Sequence, residues 1–242
     1  MPVKEVFPTH NKLLAALSVE AQQKLFPMLK VTELPLGKVV YESGQYLNNV
    51  YFPVDCIVSL LYVMVDGASA EISVVGNEGI VGIAVFMGGD STPSQAIVQS
   101  GGLAFQMPAV HLRNLFNNLP DFRALMLRYT QSLITQMAQT AVCNRHHTID
   151  QQLCRWLLLS LDRLPDNQLT MTQELIANML GVRREGVTEA AGKLQKAGVI
   201  TYSRGHITIV DRIKLEALSC ECYRVVKQET DRLETYRTPR DL

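Results

Sequence analysis

The sequence predicts an α+β chain in three parts: an N-terminal β-roll of jelly-roll type, one long helix, and a C-terminal winged helix-turn-helix. Three observations point there. Between Val31 and Met107, short β-prone runs alternate with glycine-containing turn signals, the spacing of a roll or barrel. From Pro120 to about Asn144, apolar residues recur at spacings of three and four. Beyond Thr172, two short amphipathic segments flank Gly181 and lead into two β-prone runs around a basic turn. The expected divisions are residues 1–118 for the roll, 119–145 for the long helix, 146–222 for the helix-turn-helix domain and 223–242 for a charged, mobile tail.

Composition sets the class. Of 242 residues, 47% are apolar and 19% charged, which supports a packed core and argues against disorder. The formal net charge is zero, so any phosphate binding must come from a local patch. The opening MPVKEVFPTHNKLLAAL lacks the apolar core of a signal peptide, and no apolar run is long enough to span a bilayer. No membrane partner and a cytoplasmic location are therefore expected. The five cysteines (Cys56, Cys143, Cys154, Cys220, Cys222) are odd in number and irregularly spaced, which argues for reduced thiols. Cys220 and Cys222 form the one close pair. Metal sites usually offer Cys-x2-Cys and further ligands, so the pair reads as incidental and no metal is expected.

Residues 10–29 read as an opening helix with Leu13, Leu14, Leu17, Leu25 and Leu29 as its apolar positions. The strand candidates are Lys38–Tyr41, Val50–Phe52, Ile57–Val63, Ala70–Val75, Gln95–Val98 and Leu103–Met107. Residues 109–118 suit a short helix, and Pro120 suits the first turn of a longer one. On that helix Phe122, Met126, Tyr129, Leu133 and Met137 form a stripe fit for a two-helix seam, while Leu125, Leu127 and Ile134 lie off it. Two apolar faces call for two partners: the chain's own roll and, as a homodimer, the same helix of a second subunit. A helix wholly inside its own core is the alternative. His146-His147-Thr148 marks a hinge, and adjacent histidines diverge too far on a helix to chelate as a pair. Asp150 to Leu164 forms the next helix, with Leu153, Trp156, Leu157 and Leu161 inward and Pro165-Asp166-Asn167 closing it.

In the helix-turn-helix, Thr172 suits an N-cap and Leu175, Ile176, Met179 and Leu180 share a face. Gly181 suits a left-handed helix end. The second helix buries Val187, Ala190, Ala191 and Leu194, leaving Arg183, Arg184, Glu185, Thr188, Glu189 and Lys193 outward. Small apolar residues permit close helix packing, and the polar end can enter a major groove of double-stranded DNA. Alone the hairpin is generic. Val199–Tyr202 and Ile207–Val210, joined through Ser203-Arg204-Gly205-His206, add the wing.

The run Leu180-Gly181-Val182-Arg183-Arg184-Glu185-Gly186-Val187, then Leu194 to Ile200 and Arg204-Gly205-His206-Ile207, resembles the C-terminal domain of the Crp/Fnr transcription regulators. The resemblance implies that Arg184 and Glu185 read base edges and that Thr172 and the Arg204 hairpin touch phosphates. Gln173, Arg183, Thr188, Glu189 and His206 complete the candidate DNA-facing set. Arg183 stands where many members have Ser, and Glu189 where another base-reading Arg is frequent, so the operator sequence is not to be copied from those of the best-known relatives. Upstream, Gly37-x3-Tyr41-Glu42-x-Gly44-Gln45 with Val50-Tyr51-Phe52 resembles the start of the cyclic-nucleotide-binding β-roll. The phosphate cassette departs: Ile83 replaces the ribose-binding carboxylate, and no Arg or Lys lies between Glu71 and Gln106. A cyclic phosphate would lack its charge-assisted partner, so cyclic AMP and GMP are not expected as effectors. Amides near Gly76, Gly79 and Gly82 remain an alternative anion site, or only turns. The relatives with an iron–sulfur cluster carry an N-terminal cysteine group, and this chain has none before Cys56.

Three functions compete. A homodimeric DNA-binding regulator whose β-roll senses something or has lost sensing, with RNA polymerase as a further partner, is the favoured reading. A cyclic-nucleotide module regulating another protein lacks its phosphate Arg and leaves the Arg184-Glu185 helix idle. An enzyme lacks any Gly-x-Ser-x-Gly, His-Glu-x-x-His or P-loop spacing. No cofactor is expected, and the effector stays open.

Overall fold

The computed structural model describes residues 5–164 and 166–234. The first four residues of the N-terminal stretch, Pro165 of the closing turn and tail residues 235–242 lie outside the described residues.

The opening segment forms two helices, α1 (Lys12–Ala15) and α2 (Val19–Leu25). Ser18 divides them, its side chain accepting from Ala21 N at 3.3 Å to cap α2. Seven strands follow: β1 (Lys30–Leu34), β2 (Val39–Tyr41), β3 (Asn49–Pro53), β4 (Ile57–Val63), β5 (Ser69–Val75), β6 (Gln95–Ser100) and β7 (Gly102–Pro108). They pair antiparallel in two sheets, β1-β7-β3 and β2-β6-β4-β5. Both sheets bury one face in a common core, where Phe52 sits opposite Phe105 and Leu60 opposite Ala96. A short helix α3 (Ala84–Met87) lies between β5 and β6. Strand β1 falls outside the predicted runs: its burial alternates poorly, with only Leu34 fully inside.

Helices α4 (Ala109–Asn118) and α5 (Pro120–His146) follow the roll. The structure corrects the seam. Phe122, Met126, Tyr129 and Leu133 are all buried in the chain's own core, and Met137 packs at its edge. That stripe therefore faces the β-roll, and is not available to a second subunit. Gln136 fixes the packing by accepting from Val74 N at 2.7 Å and donating to Val74 O at 3.2 Å. The open face carries Leu127, Ile134 and Val142, each about half exposed.

Helix α6 (Ile149–Leu161) begins with Thr148 as N-cap, and every residue from Gln152 to Leu161 is buried. It is enclosed because the roll, the helix-turn-helix and the C-terminal helix all pack against it. The remaining elements are β8 (Gln168–Thr170), α7 (Gln173–Leu180), α8 (Arg184–Lys196), β9 (Ile200–Ser203), β10 (His206–Ile209), α9 (Arg212–Leu218) and α10 (Glu221–Glu234). Strands β8, β10 and β9 form the wing sheet in that order. Helix α10 corrects the mobile tail: Tyr223, Val226 and Leu233 are buried, and the helix packs on α5. A stripe that sparse among charged neighbours is hard to see in sequence, yet it suffices once a long helix is beside it.

Buried polar links join the roll to α6 and the turn after it. Arg163 Nε donates to Glu78 Oε1 at 2.8 Å, both side chains being under 10% exposed. Ser59 Oγ lies 2.6 Å from Glu71 Oε2 and 2.8 Å from Gln99 Oε1, and Gln99 Nε2 donates to Ser160 Oγ on α6 at 3.0 Å.

Candidate nucleic-acid interface

Thr172 caps α7 as expected, its hydroxyl accepting from Leu175 N at 3.2 Å. Gly181 ends the helix at φ +65°, a left-handed conformation that costs an L side chain about 1–2 kcal/mol. Ile176, Ala177, Met179 and Leu180 are buried, whereas Leu175 is 38% exposed, so Ala177 takes the inward place expected of Leu175. In α8, Val187, Ala190, Ala191 and Leu194 are buried as the spacing requires. The close fit shows at Gly186, where a Cβ would meet Ile149 Cδ1 at 2.7 Å.

The outward face of α8 carries the expected set. Arg183 is the N-cap residue in extended conformation, and Arg184, Glu185, Thr188 and Glu189 follow along the helix on its outward side. Thr188 Oγ1 is within 2.8 Å of Gln173 Oε1, which ties the two helices at the surface. Arg184 Nε is 3.9 Å from Glu174 Oε2, an exposed contact that water screens and that leaves the guanidinium available. Glu189 instead pairs with Lys193 at 3.0 Å along the helix.

The wing turns through Arg204 and Gly205, both at positive φ (50° and 82°), which is the mirror-image turn that suits a two-residue hairpin. The tip is thereby held tightly, with Arg204 in solvent. Tyr202 carries no signal of its own in the sequence, yet it fixes the wing: its OH donates to Met171 O at 2.8 Å, beside the Thr172 cap. Burial raises this phenol, so it stays a neutral donor. His206 Nδ1 lies 3.2 Å from Thr170 Oγ1 within the wing sheet. The outcome is a shallow concavity in which Thr172, Gln173, Arg184, Tyr202 and Arg204 meet. Glu185, Thr188 and Glu189 continue outward from it along α8. Cationic forks and a capped helix start on one surface suit a phosphate backbone beside a groove.

In the roll, a cavity of about 720 Å³ lies between β4, β5, the α3 turn and α5. Its wall is apolar, with Leu60, Ile72, Ile83, Leu133 and Met137, and among the described residues it holds no Arg, Lys or His. Glu71 is the charged residue of that wall. Burial raises its carboxyl to about 7, against the partly offsetting Ser59, Arg155, Arg163 and Trp156. The thiols of Cys220 and Cys222, incidental by spacing, share a cluster with Cys143 and His147 at the end of α5.

A family model of the Crp-like helix-turn-helix domain matches residues 151–218, and one of the cyclic nucleotide-binding domain matches residues 31–118. The global nitrogen regulator of Synechococcus elongatus is 21% identical over 196 residues, covering 77% of this chain and 88% of that protein. A Crp/Fnr-family regulator from Eubacterium rectale superposes with a TM-score of 0.67 at 16% identity, over 87% of this chain and 98% of that one. FixK2 from Bradyrhizobium japonicum gives 0.66 at 15% identity, over 79% and 98%. At these identities the solved structures speak for the fold.

Proposed function

The chain belongs to the Crp/Fnr family of transcription regulators, with a helix-turn-helix DNA-binding domain, and from that premise we propose that it acts as a homodimer on a two-fold symmetric operator. The observation that carries the reading is the surface formed by Thr172, Gln173, Arg184 and Arg204, with α8 presenting Glu185 and Thr188 beside it. In this reading Arg184 grips the O6 and N7 of a guanine, Glu185 accepts from a cytosine amino group, and Arg204 meets phosphate. Half-sites lie about one helical turn apart. The location is cytoplasmic, where the operator is, RNA polymerase is a further partner, and no residue has a catalytic role.

The dimer face of this reading is the open side of α5. Leu127, Gln131, Ile134, Ala138 and Ala141 follow one another at alternating spacings of four and three, the repeat of a two-helix seam. A second copy of α5 covers Leu127 and Ile134, which a monomer leaves about half exposed. In this reading the effector is not a cyclic nucleotide, because among the described residues no Arg, Lys or His lines the roll cavity to meet a phosphate. An apolar molecule without a phosphate fits its wall.

Binding to singly substituted operators at two salt concentrations tests the assignment. Arg184→Ala lowers cognate affinity by about 1–3 kcal/mol and relaxes preference at one base pair per half-site. Arg204→Ala weakens all sequences alike and reduces the salt slope by about one for each phosphate that the arginine no longer neutralises. Equal weakening of every site by Arg184→Ala would remove that residue from base reading.

A further inference from the structure

Where α5 ends, four side chains that the DNA-binding reading does not use converge. Cys143 lies in the last turn of α5, and His147 is its C-cap, the backbone N–H of His147 donating to Cys143 O. Cys220 and Cys222 come from the start of α10, more than seventy residues later. One ligand atom from each, three Sγ and a ring nitrogen, lies within 4.8 Å of all the others. Cys143 Sγ is 3.6 Å from Cys220 Sγ, and Cys222 Sγ is 3.6 Å from His147 Nδ1. Four ligands around a zinc ion at about 2.3 Å from sulfur stand about 3.8 Å apart, so the cluster is already near tetrahedral spacing.

The surroundings fit an ion as well. His147 Nδ1 faces the thiols while Nε2 lies 3.4 Å from a carboxylate oxygen of Glu221, the outer partner that orients a ligating imidazole. Cys143, Cys220 and Cys222 are buried, so the thiols meet one another and not water. Arg155 is 5% exposed, its Nε has no hydrogen-bond partner, and its charge acts on both Cys143 and Cys222. A buried guanidinium with an unused donor needs a negative neighbour.

We propose that Cys143, His147, Cys220 and Cys222 form a closed Cys3His site for a zinc ion, which fastens α10 to the hinge below α5. Three thiolates and one Zn²⁺ carry a net charge of −1, which Arg155 balances. Each thiol releases its proton on ligation, up to three per ion, and the imidazole binds neutral. The thiolate-rich donor set favours zinc over magnesium, calcium or manganese. With all four positions filled by protein, the site is structural.

The test uses the full chain, reduced, stripped with a chelator and titrated with Zn²⁺ or with Co²⁺ as a coloured substitute. One ion per chain is expected, with the visible bands of tetrahedral cobalt and thiolate-to-cobalt charge transfer. Cys222→Ser and His147→Ala abolish that spectrum, while Cys56→Ser, outside the cluster, keeps it. Glu221→Gln, at a largely exposed side chain that does not threaten folding, weakens zinc binding about 10–100-fold. Hydrogen exchange in α10 slows when zinc is added. No uptake by the folded wild-type chain overturns the proposal, as does a cobalt spectrum unchanged by Cys222→Ser and His147→Ala. A chain that takes up no metal, and in which added oxidised glutathione converts Cys143 and Cys220 to a disulfide with release of two equivalents of reduced glutathione, also overturns it and makes the cluster a redox pair.

Discussion

Glu71 is the group whose replacement tests the junction between the roll and α6 most directly. It is 8% exposed, and burial raises its pKa from 4.5 to about 7. The hydrogen bonds agree with a neutral acid. Ser59 has one proton and two close acceptors, Glu71 Oε2 and Gln99 Oε1. The chain is satisfied when protonated Glu71 donates to Ser59, Ser59 to Gln99, and Gln99 to Ser160. A carboxyl raised on folding stabilises the native state fully below its unfolded pKa, and that contribution is lost as pH climbs through the folded value. The window is therefore pH 4.5 to about 7, and its depth is about 3 kcal/mol. Glu71→Gln keeps a neutral donor at the same place. The variant should match wild type below pH 4.5 and exceed it by up to about 3 kcal/mol above pH 7. Denaturant unfolding followed by the fluorescence of Trp156, the one tryptophan, reads the difference at the interface itself. Parallel stability–pH curves for the two proteins would refute the assignment of a protonated Glu71.

The remaining predictions concern the helix faces and the cavity. Ile134→Asp places a charge on the open face of α5, so it should leave the monomer folded and cost the dimer several kcal/mol, to about 3–5, in light scattering and operator binding. Leu133→Asp, one residue away and 2% exposed, should instead unfold the roll. A dimer unaffected by Ile134→Asp would move the interface elsewhere. Calorimetry with cyclic AMP and cyclic GMP should show no binding in the micromolar range, and a low-micromolar constant would contradict the cation-free wall. Gly181→Ala should lower stability by about 1–2 kcal/mol through its φ of +65°, with the new Cβ 3.3 Å from Ala70 adding to it. Thermal unfolding checks this, and an unchanged midpoint would mean the turn relaxes.

Sequence served best where the signal is local. The N-cap at Thr172, the left-handed Gly181 and the 3.6-residue period of Val187, Ala190, Ala191 and Leu194 are each decided within a few residues. The faces of α5 are not decided that way. Both are apolar, and only the position of the β-roll shows that Tyr129 and Leu133 turn inward while Leu127 and Ile134 do not. Strand β8 has three residues and exists because β10 is beside it. The opening helix has a readable break, Ser18 as a cap, which the leucine pattern outweighs. The thiol cluster has a signal too: Cys143 and His147 are four apart, one face of a helix, but their partners lie near residue 221. Spacing along the chain carries no trace of such a contact.

Glu71 makes the cavity wall and the domain junction one structure. It lines the cavity from β5, and through Ser59 and Gln99 it reaches Ser160 on α6, which packs against α8. The neighbouring residue on β5, Ala70, lines the same cavity and lies under Gly181 at the turn before α8. A ligand in the cavity thus meets two adjacent residues of one strand, each in contact with the DNA-binding half by a different route. Packed elements of this kind shift between discrete arrangements more readily than they deform. A neutral apolar ligand would add no charge beside the Glu71 carboxyl, whose pKa burial already raises. A ligand bearing a cation would draw that proton off, turn the Glu71–Ser59 contact around, and leave Ser59 to donate to Glu71 instead of Gln99. Of the two, only the second would change the hydrogen bonding that holds α6 to the roll.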